Sequence, residues 1–259
     1  MSSLYLKTAI ITGASRGIGC AIALRLAREG ANVVLTARDQ SLLESAVSEI
    51  KAGGGGAASL ALDLREPDAP ARLAQFAQSQ FGGIDIVVNN AGATKRGDFL
   101  ALTEEDWKDG YALKFFGAMR LTRAAWPQLK ERRGSVVNIA GVGGRTPGAQ
   151  FTIGGSVNAA LLSLTKALAE LGIQDGVQVN AINPGPVRTD RLQARLKILA
   201  REKGIEMADA EAAMVREMRI TRVGEPEDIA SLVAYLVSPE ARLLHGTFID
   251  IDGGETKTL

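Results

Sequence analysis

Thr12-Gly13-Ala14-Ser15-Arg16-Gly17-Ile18-Gly19 is the stretch that decides the fold of this chain. It follows the short apolar run Thr8-Ala9-Ile10-Ile11 and opens a segment with Ile18, Ile22 and Leu26 at i, i+4, i+8 spacing. The pattern reads as a buried strand, a glycine turn and an amphipathic helix. Gly13 permits the tight turn, while Gly17 and Gly19 let backbone and helix come close to a diphosphate. The helix N-terminus supplies unpaired N–H groups and a partial positive charge. Glycines alone are a weak signal, but the strand before and the helix after make this a dinucleotide-binding turn.

Outward from that stretch, apolar runs of strand length alternate with helical periodicity. The strands are expected at 7–12, 32–37, 57–62, 84–88, 134–139, 176–182 and 246–251. Helical patterns lie at 17–29, 40–51, 68–81, 103–113 continuing through 114–130, 155–171 and 226–237. Strands apolar almost throughout, separated by helices, predict a parallel sheet covered on both faces. Right-handed crossovers then give an α/β fold: a single doubly wound Rossmann-type domain over 1–259, with a central sheet of about seven strands. Residues 190–221 break the rhythm with two amphipathic segments, one carrying Leu192, Leu196 and Leu199, the other Ala210, Ala213, Met214 and Met218. They read as a helical lid insertion or as an ordinary surface hairpin.

The 259 residues carry a net charge of +1, which gives no electrostatic footprint for nucleic acid or a membrane surface. No apolar run has the length of a bilayer span, and no signal-peptide pattern is read. Cys20 is the only cysteine, so no disulfide forms within the chain, and a cytoplasmic location is expected. His245 is the only histidine, and no metal site is expected.

The glycine turn is joined by Asp63-Leu64, Asn89-Asn90-Ala91-Gly92, and the run Asn180-Ala-Ile-Asn-Pro184-Gly185-Pro-Val187-Arg-Thr189. Arg222-Val-Gly-Glu-Pro226 and Ile251-Asp252-Gly253-Gly254 complete the set. With these motifs the sequence resembles the short-chain dehydrogenase/reductases over essentially its whole length. The resemblance implies that Asp63 contacts adenine, with Leu64 beside it, and that Asn90, Ala91 and Gly92 support the sheet next to the adenosine ribose. It also implies that Pro184, Gly185, Val187 and Thr189 hold the nicotinamide end. A homodimer or homotetramer is implied too, joined through the helices around 103–130 and 155–171 and the C-terminal segment.

Charge argues the dinucleotide type. A 2′-phosphate needs cations at the end of the second strand, and a free ribose hydroxyl wants a carboxylate there. The strand ends Leu35-Thr36-Ala37-Arg38, and Arg16 lies in the glycine loop. Two arginines at one point favour NADP(H) over NAD(H). Asp39, one residue late, argues the other way.

The usual chemistry is missing. The family protonates a developing alkoxide with a tyrosine whose pKa a lysine lowers, helped by a serine and an asparagine. Motif matching puts Gly141 at the serine position, Gly154 at the tyrosine position and Asn158 at the lysine position. Lys114 stands where the family has asparagine. Lys114 and Asn158 thus look like an exchange between two facing helices. Lys114 reads as a relocated acid/base or anion anchor, or as a residue filling polar space after catalysis was lost. Two glycines in place of serine and tyrosine predict an enlarged pocket. Asn138, Arg145, Thr146, Gln150, Thr152 and Ser156 are further polar residues nearby, and Lys95 and Arg96 are placed to meet an anionic substrate or solvent. Three functions fit: an atypical NADP(H)-dependent oxidoreductase, an NADP(H)-binding sensor or inactive partner subunit, and a non-redox enzyme using the enlarged pocket.

Overall fold

Strand β1 (Thr8–Thr12) is buried along its whole length, because it is the middle of a sheet covered on both faces. The structure is a computed structural model and describes residues 4–258. Around β1 stand β2 (Asn32–Ala37), β3 (Ala57–Ala61), β4 (Ile86–Asn89), β5 (Ser135–Ile139), β6 (Gln178–Pro184) and β7 (Phe248–Ile251). They form one seven-stranded sheet in the order β3-β2-β1-β4-β5-β6-β7. Every neighbouring pair is parallel. All seven strands lie where the apolar runs predict them.

Alternate strand residues face opposite sides of the sheet, and each side has its own core. On one, Ile11, Val33, Leu35, Val88 and Val137 pack under α1 (Gly17–Arg28), α2 (Gln40–Ala52) and α9 (Pro226–Leu236). On the other, Ile10, Val34, Val87, Val136 and Val179 pack under α3 (Ala69–Phe81), α5 (Gly117–Arg132) and α6 (Thr152–Asp175). The order of strands reverses between β1 and β4. Such a switch point opens a crevice at the carboxyl ends of the strands, and ligands of open α/β sheets bind there.

Two helices differ from the sequence pattern. The periodic run over 103–130 is divided into α4 (Glu104–Tyr111), a π-helical turn (Ala112–Phe116) and α5. Helix α6 begins at Thr152, three residues ahead of the run read at 155–171, and continues to Asp175 before Gly176 closes it with φ +74°. Residues 190–221 fold as α7 (Asp190–Lys203) and α8 (Met207–Met218). These two helices bury Leu192, Leu196, Ala200, Ala210 and Met214 against each other and Val223 in a small core of their own.

Among the described residues, no helix is long and apolar enough to cross a membrane. No group of three His, Cys, Asp or Glu residues there is arranged to hold a metal ion.

Candidate active site

At the first half of the crevice the backbone leaves no room for side chains. Gly13 and Gly17 have φ of +65° and +57°, in the left-handed region open to glycine. A Cβ on Gly19 would stand 2.3 Å from the Gly13 carbonyl oxygen, and one on Gly13 would stand 3.0 Å from Ala91 Cα. Ser15 is half-buried in the turn, and Ile18 packs its side chain against the core. Thr12 ties the turn to the strand end beside it, where its Oγ1 accepts from the backbone N–H groups of Asn90 and Ala91, both at 2.9 Å. Asn90 Nδ2 donates to the Thr12 carbonyl at 2.9 Å. Across the crevice, Thr189 stands just before α7, with no capping bond from its side chain, and brings its Cγ2 to 3.2 Å from where a Cβ on Gly17 would be. Gly185 lies at the end of β6, Val187 is buried and bridges to Gly224, and Thr189 Oγ1 donates to the Val187 carbonyl. A glycine cradle under a helix N-terminus, walled by Thr189, fits a dinucleotide diphosphate.

Beyond the carboxyl ends of β2 and β3 stand Arg38 and Asp63. Asp63 accepts from Arg65 at 2.6–3.1 Å, and this guanidinium holds its carboxyl below the ordinary carboxylate value. Arg65 also pairs with Asp109 at 2.5 Å, and Leu64 is buried beneath. Arg38 is near enough to Asp63 to lower its pKa further. Asp39 has another occupation: its Oδ1 accepts from Leu42 N at 3.1 Å as the N-cap of α2. Arg16 does not meet Arg38 here. It reaches across the crevice mouth to Asp190 at 2.9 Å, an exposed pair of small energy.

At the other half, the π-helical turn carries Lys114 inward. Its stem lies over Gly92, where a Cβ would stand 2.9 Å from Lys114 Cδ. Its Nζ donates to the Ala140 carbonyl at 2.5 Å, at the end of β5. Loss of hydration, with Arg191 nearby, lowers the lysine pKa from 10.5 to about 7. Next to Ala140 stands Gly141, at φ +133°. A Cβ on Gly141 would lie 3.0 Å from Asn158 Nδ2. Asn158 is 3% exposed, and its Oδ1 has no hydrogen-bond partner. Lys114, Gly141 and Asn158 therefore share one wall.

The expected enlargement of the pocket is corrected by Phe151. A Cβ on Gly154 would fall 2.0 Å from Phe151 Cζ, and one on Gly143 would fall 2.9 Å from its Cδ1. The ring occupies the volume that a side chain at position 154 would need. Arg96 stacks on it, with its guanidinium carbon 3.9 Å from the ring centroid.

The other polar residues are mostly engaged elsewhere. Asn138 is buried between Asn89 at 2.8 Å and Thr165 at 2.9 Å. Lys95 pairs with Asp106, and Arg145 pairs with Asp250. Thr146 and Ser156 donate to backbone carbonyls of their own segments. Gln150 is exposed, whereas Thr152 has a buried hydroxyl with no partner. Sequence reasoning missed Phe151, Arg191 and Glu255. Arg191 donates to the Gly92 carbonyl at 2.5 Å, and Glu255 brings Oε2 to 3.0 Å from a Cβ position on Gly185. Only the spacing Phe151–Gly154, one helical turn, offered a signal for the first; the other two contacts are tertiary.

The chain as a whole is similar to known proteins. A family profile described as enoyl-(acyl carrier protein) reductase covers residues 13–256. The chain belongs to the short-chain dehydrogenase/reductase family. An uncharacterized oxidoreductase of Mycobacterium tuberculosis is 38% identical over 252 residues, 96% of this chain and 92% of that protein. The L-sorbose reductase of Gluconobacter frateurii, solved with NADPH and L-sorbose, is 33% identical with a TM-score of 0.95 over 100% of both chains. A short-chain oxidoreductase of Pseudomonas aeruginosa, solved with NADPH and described as containing an atypical catalytic center, is 28% identical with a TM-score of 0.92, again over 100% of both chains.

Proposed function

We propose that this short-chain dehydrogenase/reductase is an NADP(H)-dependent oxidoreductase acting on a carbonyl or alcohol, with Lys114 in place of the usual phenol as the proton carrier. The observation that carries the reading is the enclosed Lys114 ammonium, with a pKa of about 7, at the end of β5 beside Gly141 and Asn158. In this reading Gly141, Gly154 and Asn158 stand at the family's serine, tyrosine and lysine positions. The bound cofactor supplies or accepts the hydride. Lys114 Nζ gives a proton to the substrate oxygen in reduction and takes it back in oxidation; a group with its pKa near the working pH is best placed for this. The Asn158 amide donates from Nδ2 to that oxygen, while its unpartnered Oδ1 accepts the O–H of the alcohol form. The Pseudomonas structure with an atypical center supports the idea that this fold accommodates departures from the usual site.

Arg38 and Arg16 hold the 2′-phosphate, Arg16 leaving its exposed pair with Asp190 to do so. The NADPH-bound neighbours support this choice of cofactor. Gly13, Ser15, Gly17, Ile18 and Gly19 seat the diphosphate, Asp63 and Leu64 the adenine, Asn90 to Gly92 the ribose, and Pro184 to Thr189 the nicotinamide. Helices α7 and α8 serve as a lid, supported by Arg191 reaching from α7 to the Gly92 carbonyl. Charge-assisted hydrogen bonds contribute about 1.5–3 kcal/mol. Arg16→Ala with Arg38→Ala is therefore expected to erase most of the preference for NADPH over NADH in fluorescence titrations. Equal affinity of the unaltered protein for both would refute the assignment.

The protein is expected to assemble as a homodimer or homotetramer. Leu171 and Ile173 on α6 and Phe116 at the head of α5 are large apolar side chains left 44%, 72% and 39% exposed. Light scattering at micromolar concentration checks this, and a monomer there would contradict it.

A decisive experiment is a screen of ketones and alcohols, followed by nicotinamide absorbance, on the unaltered protein and Lys114→Met. Simple ketones are expected to turn over slowly, since no phenol is positioned. Turnover at rates usual for the family that persists in Lys114→Met would show a donor other than Lys114.

A further inference from the structure

Four cations lie about the second half of the crevice, none of them in an ion pair with a carboxylate of the described residues. Arg96 follows the Asn90–Gly92 loop, Arg191 and Arg195 stand one turn apart on α7, and Lys114 lies at the inner end. Among the described residues, none of the four has a carboxylate oxygen within 4.0 Å. Around the same crevice, Arg188 is met by Glu211 and Glu225, Arg222 by Asp228 and Arg145 by Asp250, while many surface arginines elsewhere among the described residues are unpaired like the four. The four instead oppose one another. Loss of hydration lowers the basicity of Arg96, Arg195 and Arg191 lower it further, and Glu255 acts the other way. Arg191 is lowered by crowding and by Arg16, and Lys114 by burial and by Arg191. Gathering like charges is unfavourable unless an anion joins them, and at Lys114, the least exposed of the four, loss of hydration adds to the cost.

The geometry of Arg96 goes further. Its guanidinium carbon lies over the Phe151 ring, 3.9 Å from the centroid, a cation–π contact that leaves its N–H groups without protein acceptors. Among the described residues, neither the Arg96 nor the Arg195 guanidinium donates a hydrogen bond to any protein acceptor. Both side chains are open to solvent, so a ligand can reach them. A planar fork with unused donors is suited to a carboxylate or phosphate bound by two parallel hydrogen bonds. The acid that both arginines feel is Glu255, which bonds neither. Its Oε2 is buried without a partner, and burial followed by repulsion from Asp252 pushes its carboxyl pKa up. Glu255 is thus a poor internal counter-ion, and the gap between it and the arginines is left for another group.

We infer that the substrate carries an oxyanion, a carboxylate or a phosphate ester, gripped by Arg96 and Arg195 while its reacting carbon lies between Lys114 and the Pro184–Gly185 loop. This rests on the oxidoreductase reading above and adds to it the substrate class. The dinucleotide's own phosphates are the competing source of negative charge. They belong at Gly17 and Arg38, whereas Arg96 and Arg195 are grouped with Phe151 and Glu255 beside Gly154 and Gly185. Arg191, which also feels Arg16, stands between the two ends and is left unaltered in the test.

The test is direct binding to the full chain saturated with NADPH, by calorimetry. The probes are inorganic phosphate, levulinate, and methyl levulinate as the neutral control. Levulinate is expected to bind at least roughly tenfold more tightly than its ester, a gap of about 1.4 kcal/mol. Arg96→Gln and Arg195→Gln are each expected to weaken levulinate and phosphate about tenfold, with the ester and NADPH unaffected, and Glu255→Gln to tighten both anions. Arg96→Lys should recover only part of the affinity, because the charge returns without the fork. Equal binding of acid and ester, no saturable anion binding, or unchanged anion binding in the double glutamine variant would each overturn the inference. A loss confined to NADPH affinity would also overturn it and give the cluster to the cofactor. Anion binding that survives in a protein with no turnover on any carbonyl would refute the oxidoreductase reading and leave the anion site standing.

Discussion

Lys114→Met is expected to lower turnover about 10²–10⁴-fold, the usual contribution of one positioned acid or base, while leaving NADPH affinity unchanged. Methionine keeps an unbranched stem to lie over Gly92 and loses only the ammonium that meets the Ala140 carbonyl. The pH profile gives an independent reading. The protonated lysine is the donor, so reduction should slow as pH rises through about 7, and oxidation should quicken over the same range. In the methionine variant both breaks should vanish. Stability follows by linkage. The folded-state pKa of about 7 lies below the ordinary 10.5, so between these values the unfolded chain holds more protons. Stability of the unaltered protein should then rise with pH across that window relative to Lys114→Met, as read from urea midpoints at pH 7 and 9. Full activity in the variant would leave a binding protein or an unrecognised donor as the better account.

Much of this was legible in the chain, for reasons that differ from part to part. Strands β1 to β7 announce themselves because a parallel sheet covered on both faces needs unbroken apolar runs, and Ile10-Ile11, Val33-Val34-Leu35 and Val87-Val88 supply them. The glycine turn is legible because few residue types fit a backbone at φ +65° and +57°. The π-helical turn at Ala112–Phe116 is not, since i→i+5 bonding has no side-chain signature distinct from the helix around it. Nor was the engagement of Arg16, whose partner Asp190 lies 174 residues away along the chain. Sequence spacing suggested that Arg16 and Arg38 converge, but it cannot show which carboxylate a long exposed side chain reaches in the absence of phosphate. Asp39 was ambiguous for a related reason: the residue that follows a second strand also opens the next helix, and here the capping of Leu42 N occupies its carboxylate. The pocket was misread because counting lost side-chain volume at positions 141 and 154 ignores what else can fill it. Protein interiors close such space with whatever ring or chain is at hand, and Phe151 is one helical turn from Gly154.

That packing makes Gly154→Tyr the sharpest structural test. Restoring a tyrosine at this position is expected to destabilise the protein by about 1–3 kcal/mol and to restore no ketone reduction. In a chain of this size that corresponds to a fall in Tm of roughly 2–12 °C. A Cβ there would lie 2.0 Å from Phe151 Cζ and 2.1 Å from its Cε2, and the ring has nowhere easy to go. Its other side is occupied by Arg96, and its edge stands against Gly143. Phe151→Ala removes the obstruction, so the double variant should be more stable than Gly154→Tyr alone. A double-mutant cycle should show coupling well beyond the few tenths of a kcal/mol seen between independent sites. Even then the phenol would lack the cation one turn on, where Asn158 stands, so activity should stay low until Asn158→Lys is added. If Gly154→Tyr alone folds without loss and gains reductase activity, Phe151 does not fill this space in solution. The coupling matters for function because it makes the glycine and the phenylalanine one structural commitment. The ring that fills the tyrosine's place is also the platform on which Arg96 lies. Returning the usual acid to this site would therefore disturb the group placed to grip the substrate.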